Sequence, residues 1–180
     1  MRRRAAWRSV LRAAGAVLLL ALAQAPASAQ TTEAQVKAAY LLKLASFVTW
    51  PGGGEGSTFR YCIAGRSDIA AVLEQLAGNR EIDGRRVVIT RLRGTDADEV
   101  RDCRVLFLGR GGETSAALFA AAGRAPVLTV TDRNGGTRGG AVEFVLRDGR
   151  VRFVIRRGEA DSRQLALSSK LLEVALEVEP

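Results

Sequence analysis

Histidine is absent from all 180 residues. Its absence removes the usual general base at neutral pH and the commonest metal ligand. Neither a Ser-His-Asp nor a Cys-His centre can be built. Cysteine occurs only at Cys62 and Cys103, and two isolated thiols do not make a zinc site. The phosphate-binding motifs are missing as well. Ala64-Gly65-Arg66-Ser67-Asp68 lacks the three-glycine dinucleotide pattern, and Gly109-Arg110-Gly111-Gly112 lacks the Lys-Ser/Thr of a P-loop. A glycine-rich turn is the simpler reading of the second segment, although a strand end beside a helix N-terminus can hold an anion. No apolar run is long enough for a membrane span. The uncharged stretch 13–23 would reach roughly 16 Å as a helix, about half a bilayer core.

That short run reads as part of an export signal. Arg2, Arg3, Arg4, Arg8 and Arg12 form a basic head, and Ala27-Ser28-Ala29 is a small-x-small cleavage site. Residues 1–29 are expected to be a signal peptide cleaved after Ala29, leaving one domain over 30–180. The signal carries five arginines and no acid, so the remaining 22 basic and 19 acidic residues give +3 rather than +8. Basic and acidic side chains are interspersed along the chain, unlike the basic stripe of a nucleic-acid binder. In an exported chain an even cysteine count favours a Cys62–Cys103 disulfide over two buried thiols. It would close a loop of about 40 residues, worth about 4 kcal/mol in the chain-entropy model.

The elements follow from periodicity and punctuation. Thr32 and Gln35 fit a capping box, and Val36, Tyr40, Leu44 and Phe47 recur at helical spacing up to the stop at Pro51. Strands are expected at 59–63, 87–90, 105–108 and 127–131. Helices are expected from Ser67 or Asp68 to Gly78, briefly at 95–100, and at 114–122. Asp148-Gly149, between 141–146 and 151–155, signals a hairpin. A helix over 162–176 capped by Asp161, with Leu165, Leu172 and Leu176 on its apolar side, closes the chain. The fold class is therefore α/β: one domain, a mostly parallel sheet flanked by helices on both faces, and an antiparallel β-hairpin near the C-terminus.

Ser168-Ser169-Lys170 raises the question of a Ser-Lys nucleophile. Consecutive helical residues point in different directions, so the three read as structural. Trp50 reads as a core plug rather than a binding anchor. No spacing points to a paired-carboxylate site. The chain is expected to have no catalytic residue, metal or cofactor.

Several segments in order resemble the YfiR-like family of periplasmic proteins. They are Lys37-Ala38-Ala39-Tyr40-Leu41-Leu42, Phe47, Trp50-Pro51, Tyr61-Cys62-Ile63-Ala64-Gly65, Cys103-Arg104-Val105-Leu106-Phe107, and Val127-Leu128-Thr129-Val130-Thr131-Asp132. Gly139-Gly140, Val151-Arg152-Phe153 and Ser168-Ser169-Lys170-Leu171-Leu172 complete the set. The resemblance implies a periplasmic repressor of an inner-membrane diguanylate cyclase (YfiN-like), with an α/β fold and homodimers. It further implies sequestration by an outer-membrane lipoprotein (YfiB-like). Cys62 and Cys103 match one cysteine pair of the family. A second pair would fall near the fourth strand and hairpin, where this sequence has no cysteine. The hairpin is the expected contact surface, with Phe144, Arg152 and Phe153 as partner-binding residues. The alternative is a periplasmic small-molecule-binding module, because ligands commonly sit at strand ends in such sheets.

Overall fold

A computed structural model describes residues 27–53, 56–94 and 96–180. Most of the expected export signal, residues 1–26, lies outside the described residues; the expected cleavage bond Ala29–Gln30 falls in the first turn of a helix, α1 (Ala27–Leu44). This helix is already under way before Thr32, so the capping box does not mark its start.

Residues Glu33–Pro180 form one unit. Its strands are β1 (Val48–Thr49), β2 (Thr58–Ala64), β3 (Glu81–Ile82), β4 (Arg85–Arg91), β5 (Val105–Leu108), β6 (Leu128–Asp132), β7 (Val142–Arg147), β8 (Arg150–Arg156), β9 (Ala166–Leu167) and β10 (Glu177–Glu179). Between them lie α2 (Ser67–Ala77), α3 (Ala97–Arg101), α4 (Glu113–Ala122), α5 (Arg157–Ser162) and α6 (Ser169–Val174). Eight strands make one sheet in the order β10-β8-β7-β6-β5-β2-β4-β3. Strands β4, β2, β5, β6 and β7 run parallel, and β7–β8 is the antiparallel hairpin. The chain winds from β2 out to β4, then crosses back to β5 on the other side of β2. This is the flavodoxin-like order, with its switch point between β2 and β5.

Side-chain alternation divides the core in two. Phe59, Tyr61 and Ile63 of β2 share one face with Val105, Phe107, Leu128 and Val130, under Ala38 and Leu41 of α1 and Ile69 and Leu73 of α2. Cys62, Ala64, Leu106 and Leu108 face the other way, against Val100 of α3 and Leu118 and Ala122 of α4. Strand β5 is buried along its whole length, as its unbroken Val-Leu-Phe-Leu run requires between two helical layers. Helix α2 ends at Gly78, whose N–H donates to the Glu74 carbonyl at 3.1 Å. Asp96 caps α3 by accepting from the Asp98 N–H at 2.9 Å.

The single helix expected over 162–176 is instead the last residue of α5, a turn, β9 and α6, with β10 following. Gln164 adopts φ 59°, which stops helix propagation after Ser162. The N–H groups of Arg163 and Leu165 both donate to the Ala160 carbonyl, turning Leu165 into the core. Ala166–Leu167 then pairs antiparallel with Val48–Thr49, and Ser168 caps a new helix. Asp161 lies near the end of α5 and starts nothing. The last residues leave the helix to run parallel to β8, which leaves Leu176 exposed.

Phe144 sits at 0% exposure beneath this frame, its ring centroid 6.1 Å from that of Tyr40 and 6.0 Å from that of Phe107. Phe144→Ala is expected to lower unfolding free energy by about 3–5 kcal/mol with the denaturant m-value unchanged. Urea titration followed by circular dichroism checks this; a cost below about 1 kcal/mol would remove the ring from the core.

Candidate functional site

Ligands of doubly wound sheets usually lie outside the carboxyl ends of the strands, at the switch point. Here that crevice is filled by the chain itself. The turns after β2, β5 and β6 press together so closely that a Cβ on Gly135 would lie 2.0 Å from the Gly109 carbonyl oxygen, and one on Gly109 would lie 2.4 Å from the Arg66 side chain. Gly111 donates its N–H to the Gly135 carbonyl at 2.8 Å, and Ser115 donates to the Arg110 carbonyl. The segment Gly109–Gly112 is thus a packed turn.

Charged side chains complete the plug. Lys37 projects from the buried side of α1, and its Nζ meets Asp132 Oδ2 at 2.6 Å; both side chains are fully buried. The same Nζ reaches Glu33 Oε1, one helical turn away, at 2.5 Å. Arg66 Nη1 lies 3.3 Å from Asp132 and 3.7 Å from Glu33. Its Nε and Nη2 hold Asp68 in a two-point fork at 2.9 and 2.7 Å. That fork keeps the Asp68 carboxyl below its ordinary range. Two cations and three carboxylates therefore bind the N-terminal helix, the β2–α2 turn and the end of β6. The sequence held a signal for this. Lys37 stands between Ala34, Ala38 and Leu41 in an apolar stripe, and Asp132 ends an apolar strand. A charge in each of those places needs a partner.

A second charged node lies on the far half of the sheet. Glu143 of β7 is buried and accepts from Arg133, from Arg156 Nη1 at 2.8 Å and from the Gly139 N–H at 3.1 Å. Burial opposes its ionisation, but those donors outweigh burial and hold its carboxyl below the ordinary range. Arg156 also pairs with Glu179 of β10 at 2.8 Å. The node therefore fastens the hairpin, the preceding glycine loop and the final strand together.

The disulfide joins Cys62 of β2 to Cys103 just after α3, with Cα atoms 5.9 Å apart. Both residues are buried in the second core. The other expected site residues separate. Phe144 and Phe153 are core side chains. Phe153 is 5% exposed and edge-on to Tyr40 with centroids 5.8 Å apart, because odd-numbered positions of β8 face α1. A partner meeting the hairpin in this conformation would touch neither ring. Arg152 points to the opposite face and is exposed. The hairpin end, Leu146 to Arg150, is exposed with it.

Two of the clefts on the described surface lie apart from the carboxyl ends of the parallel strands. One, of about 350 Å³, runs between α1 and the end of α2, lined by Ala39, Leu42, Ser46, Leu76, Arg80 and Ile82 among others. Another, of about 280 Å³, lies beside β1. Among the described residues no group of three or more His, Cys, Asp or Glu side chains could hold a metal, and no helix is long and apolar enough to cross a membrane.

The fold is a doubly wound sheet whose usual ligand crevice is closed by its own glycine turns and by a buried cluster of ion pairs. The chain belongs to the YfiR/HmsC-like family, whose model matches residues 34–176. That family is periplasmic and regulatory rather than catalytic, and its members act in c-di-GMP signalling. No curated protein is detectably similar to the chain.

Two stability tests follow from these contacts. Asp132→Asn takes the fully buried carboxylate from Lys37, leaving it only the partly exposed Glu33, and is expected to cost about 3 kcal/mol, whereas Lys37→Met with Asp132→Leu recovers most of that loss. Equal losses in the single and double variants, measured by denaturant titration, would refute the coupling. Reducing the disulfide, or replacing both cysteines by alanine, is expected to cost about 4 kcal/mol; an unchanged denaturation midpoint would show that the bond does not restrain the unfolded chain.

Proposed function

We propose that this protein represses an inner-membrane diguanylate cyclase by binding the cyclase's periplasmic region, and so lowers cellular c-di-GMP. Family membership over residues 34–176 is the observation that carries the reading. The filled switch-point crevice and the absence of histidine agree with it, since both leave surface contact as the way a message is passed. Repression by contact requires differential binding: the regulator shifts the cyclase only as far as it prefers the inactive state. Residues 1–29 serve as the export signal, and the working form is a homodimer that an outer-membrane lipoprotein sequesters.

The contact surface we assign is the exposed hairpin end, where Arg147, Arg150 and Arg152 stand close together in the β7–β8 ladder. Exposed like charges of this kind steer association and select partners more than they add affinity. A small-molecule-binding module is the weaker reading, because its usual site is occupied by backbone.

Deleting the gene is expected to raise cellular c-di-GMP several-fold, with complementation restoring it. Reversing Arg147, Arg150 and Arg152 to Glu is expected to reduce co-purification of a membrane cyclase about tenfold while the melting temperature stays unchanged. Unaltered c-di-GMP in the deletion strain, together with no cyclase captured by the wild-type protein, would sink the proposal.

A further inference from the structure

At the end of the sheet opposite the switch point, the cleft beside β1 has an unusual lining. Its walls are Ala45, Ser46, Val48, Thr49, Trp50, Asp83 and Arg85, around about 280 Å³. Trp50 and Arg85 are each only 5% exposed. The Trp50 indole N–H has no acceptor, and neither do Nε and Nη1 of Arg85. The remaining guanidinium nitrogen, Nη2, donates to Asp83 at 3.1 Å, and that carboxylate is 68% exposed.

Buried donors without acceptors cost about 1–3 kcal/mol each, and more where charged, so native structures keep very few. Of the five such side-chain atoms among the described residues, three belong to two residues that line this one cleft. Both residues pack on one ring. Trp50 meets Phe59 edge-on with centroids 5.2 Å apart, and the Arg85 guanidinium lies over the Phe59 ring, 5.4 Å from its centroid. One buried aromatic side chain thus packs against both residues that carry the donors.

We propose that this cleft binds a small organic carboxylate, whose oxygens accept from the Trp50 indole N–H and the Arg85 guanidinium. The donors call for an acceptor, and the arginine calls for an anion. Arg104, whose pKa is lowered by burial and then by the nearby Arg85 charge, adds to a positive local field. Asp83 argues against a phosphate dianion, because it already offsets part of the one guanidinium charge and would repel a second negative charge. A planar monoanion matches the donors, and Ala45, Val48 and the Trp50 ring offer an apolar wall for a short carbon chain. The inference stands on the cleft alone and does not depend on the cyclase reading. The bound group would also touch β1, which is paired with β9, and so would meet the clasp holding the C-terminal segment.

The test is a titration of the ¹⁵N-labelled protein with sodium acetate and sodium succinate, against sodium chloride at matched ionic strength, following the indole N–H signals. The full chain has two tryptophans, Trp7 and Trp50, and Trp50→Phe assigns the signal. The expected result is a saturable downfield shift of the Trp50 signal with a carboxylate and none with chloride. Arg85→Gln is expected to weaken the apparent affinity at least about tenfold. Should that variant fail to fold, Trp50→Phe keeps the ring packing, and its loss of carboxylate-induced thermal stabilisation serves instead. A tetraglutamate peptide with blocked ends separates the two sources of the same chemistry. A response to it assigns a partner's acidic side chain, and a response to the free acids alone assigns a small metabolite. No saturable shift with any of the three carboxylates, or an equal shift with chloride, overturns the proposal.

Discussion

An ammonium and a carboxylate, neither touching solvent, meet 2.6 Å apart where α1 passes the end of β6. Burying both charges has a large desolvation penalty, and a well-packed apolar pair would serve stability as well or better. What the pair contributes is position. The fully buried Asp132 meets Lys37 only if α1 lies with that face over the end of β6 and β6 stops at that level. Glu33 and Arg66 extend the constraint to the helix surface and to the β2–α2 turn. The helix that carries Tyr40 and Leu41 into the first core is thereby indexed against the ends of β6 and β2 at once.

That indexing accounts for the closed crevice. In a sheet of this winding, the space between the β2 and β5 ends is where a ligand would enter. Glycines there are normally read as room for a phosphate. In this chain the same glycines let backbone approach backbone: Gly109 and Gly135 are in contact because neither has a side chain to hold the other off. The opposite end of the sheet behaves differently. There the polar groups are donors in excess of acceptors around an open cleft, and the interior is left incomplete rather than plugged. The two ends thus differ in how far their buried polar groups are satisfied within the chain.

Much of the central architecture was legible because it depends on local signals. The apolar run of β5, the Asp148-Gly149 turn and Gly78 after α2 each specify one conformation by composition alone. The chain beyond Arg156 was not legible, because the break at Gln164 carries no glycine or proline. It is imposed by the pull of Leu165 into the core and by the pairing of β9 with β1, a partner more than a hundred residues away. Two-residue strands such as β1 and β3 have no periodicity to read. Phe144 and Phe153 looked like hairpin surface because alternation says which residues share a face, not which face is covered. Only the position of Tyr40 on α1 resolves that, and it puts both rings inside and Arg152 outside. Trp50 was read as a core plug, and the ring is indeed buried; that its N–H lacks an acceptor and that Arg85 lines the same cleft are facts of tertiary placement that local sequence does not carry.

The disulfide bears on how such a regulator could respond to oxidation. Exchange requires a thiolate to reach a sulfur, so a bond is reactive in proportion to its access. Cys62 lies in the central strand of the parallel sheet and Cys103 under α3, both in the second core. A reductant reaches them only after α3 or the strand edge opens, which is a partial unfolding event. The sequence holds no other cysteine that could act as a resolving thiol. The bond therefore belongs with the Lys37–Asp132 pair as a restraint on the fold: one ties the strand ends to the first helix, the other ties the sheet centre to the opposite layer. Both restraints lie away from the cleft beside β1, where buried donors are left without acceptors.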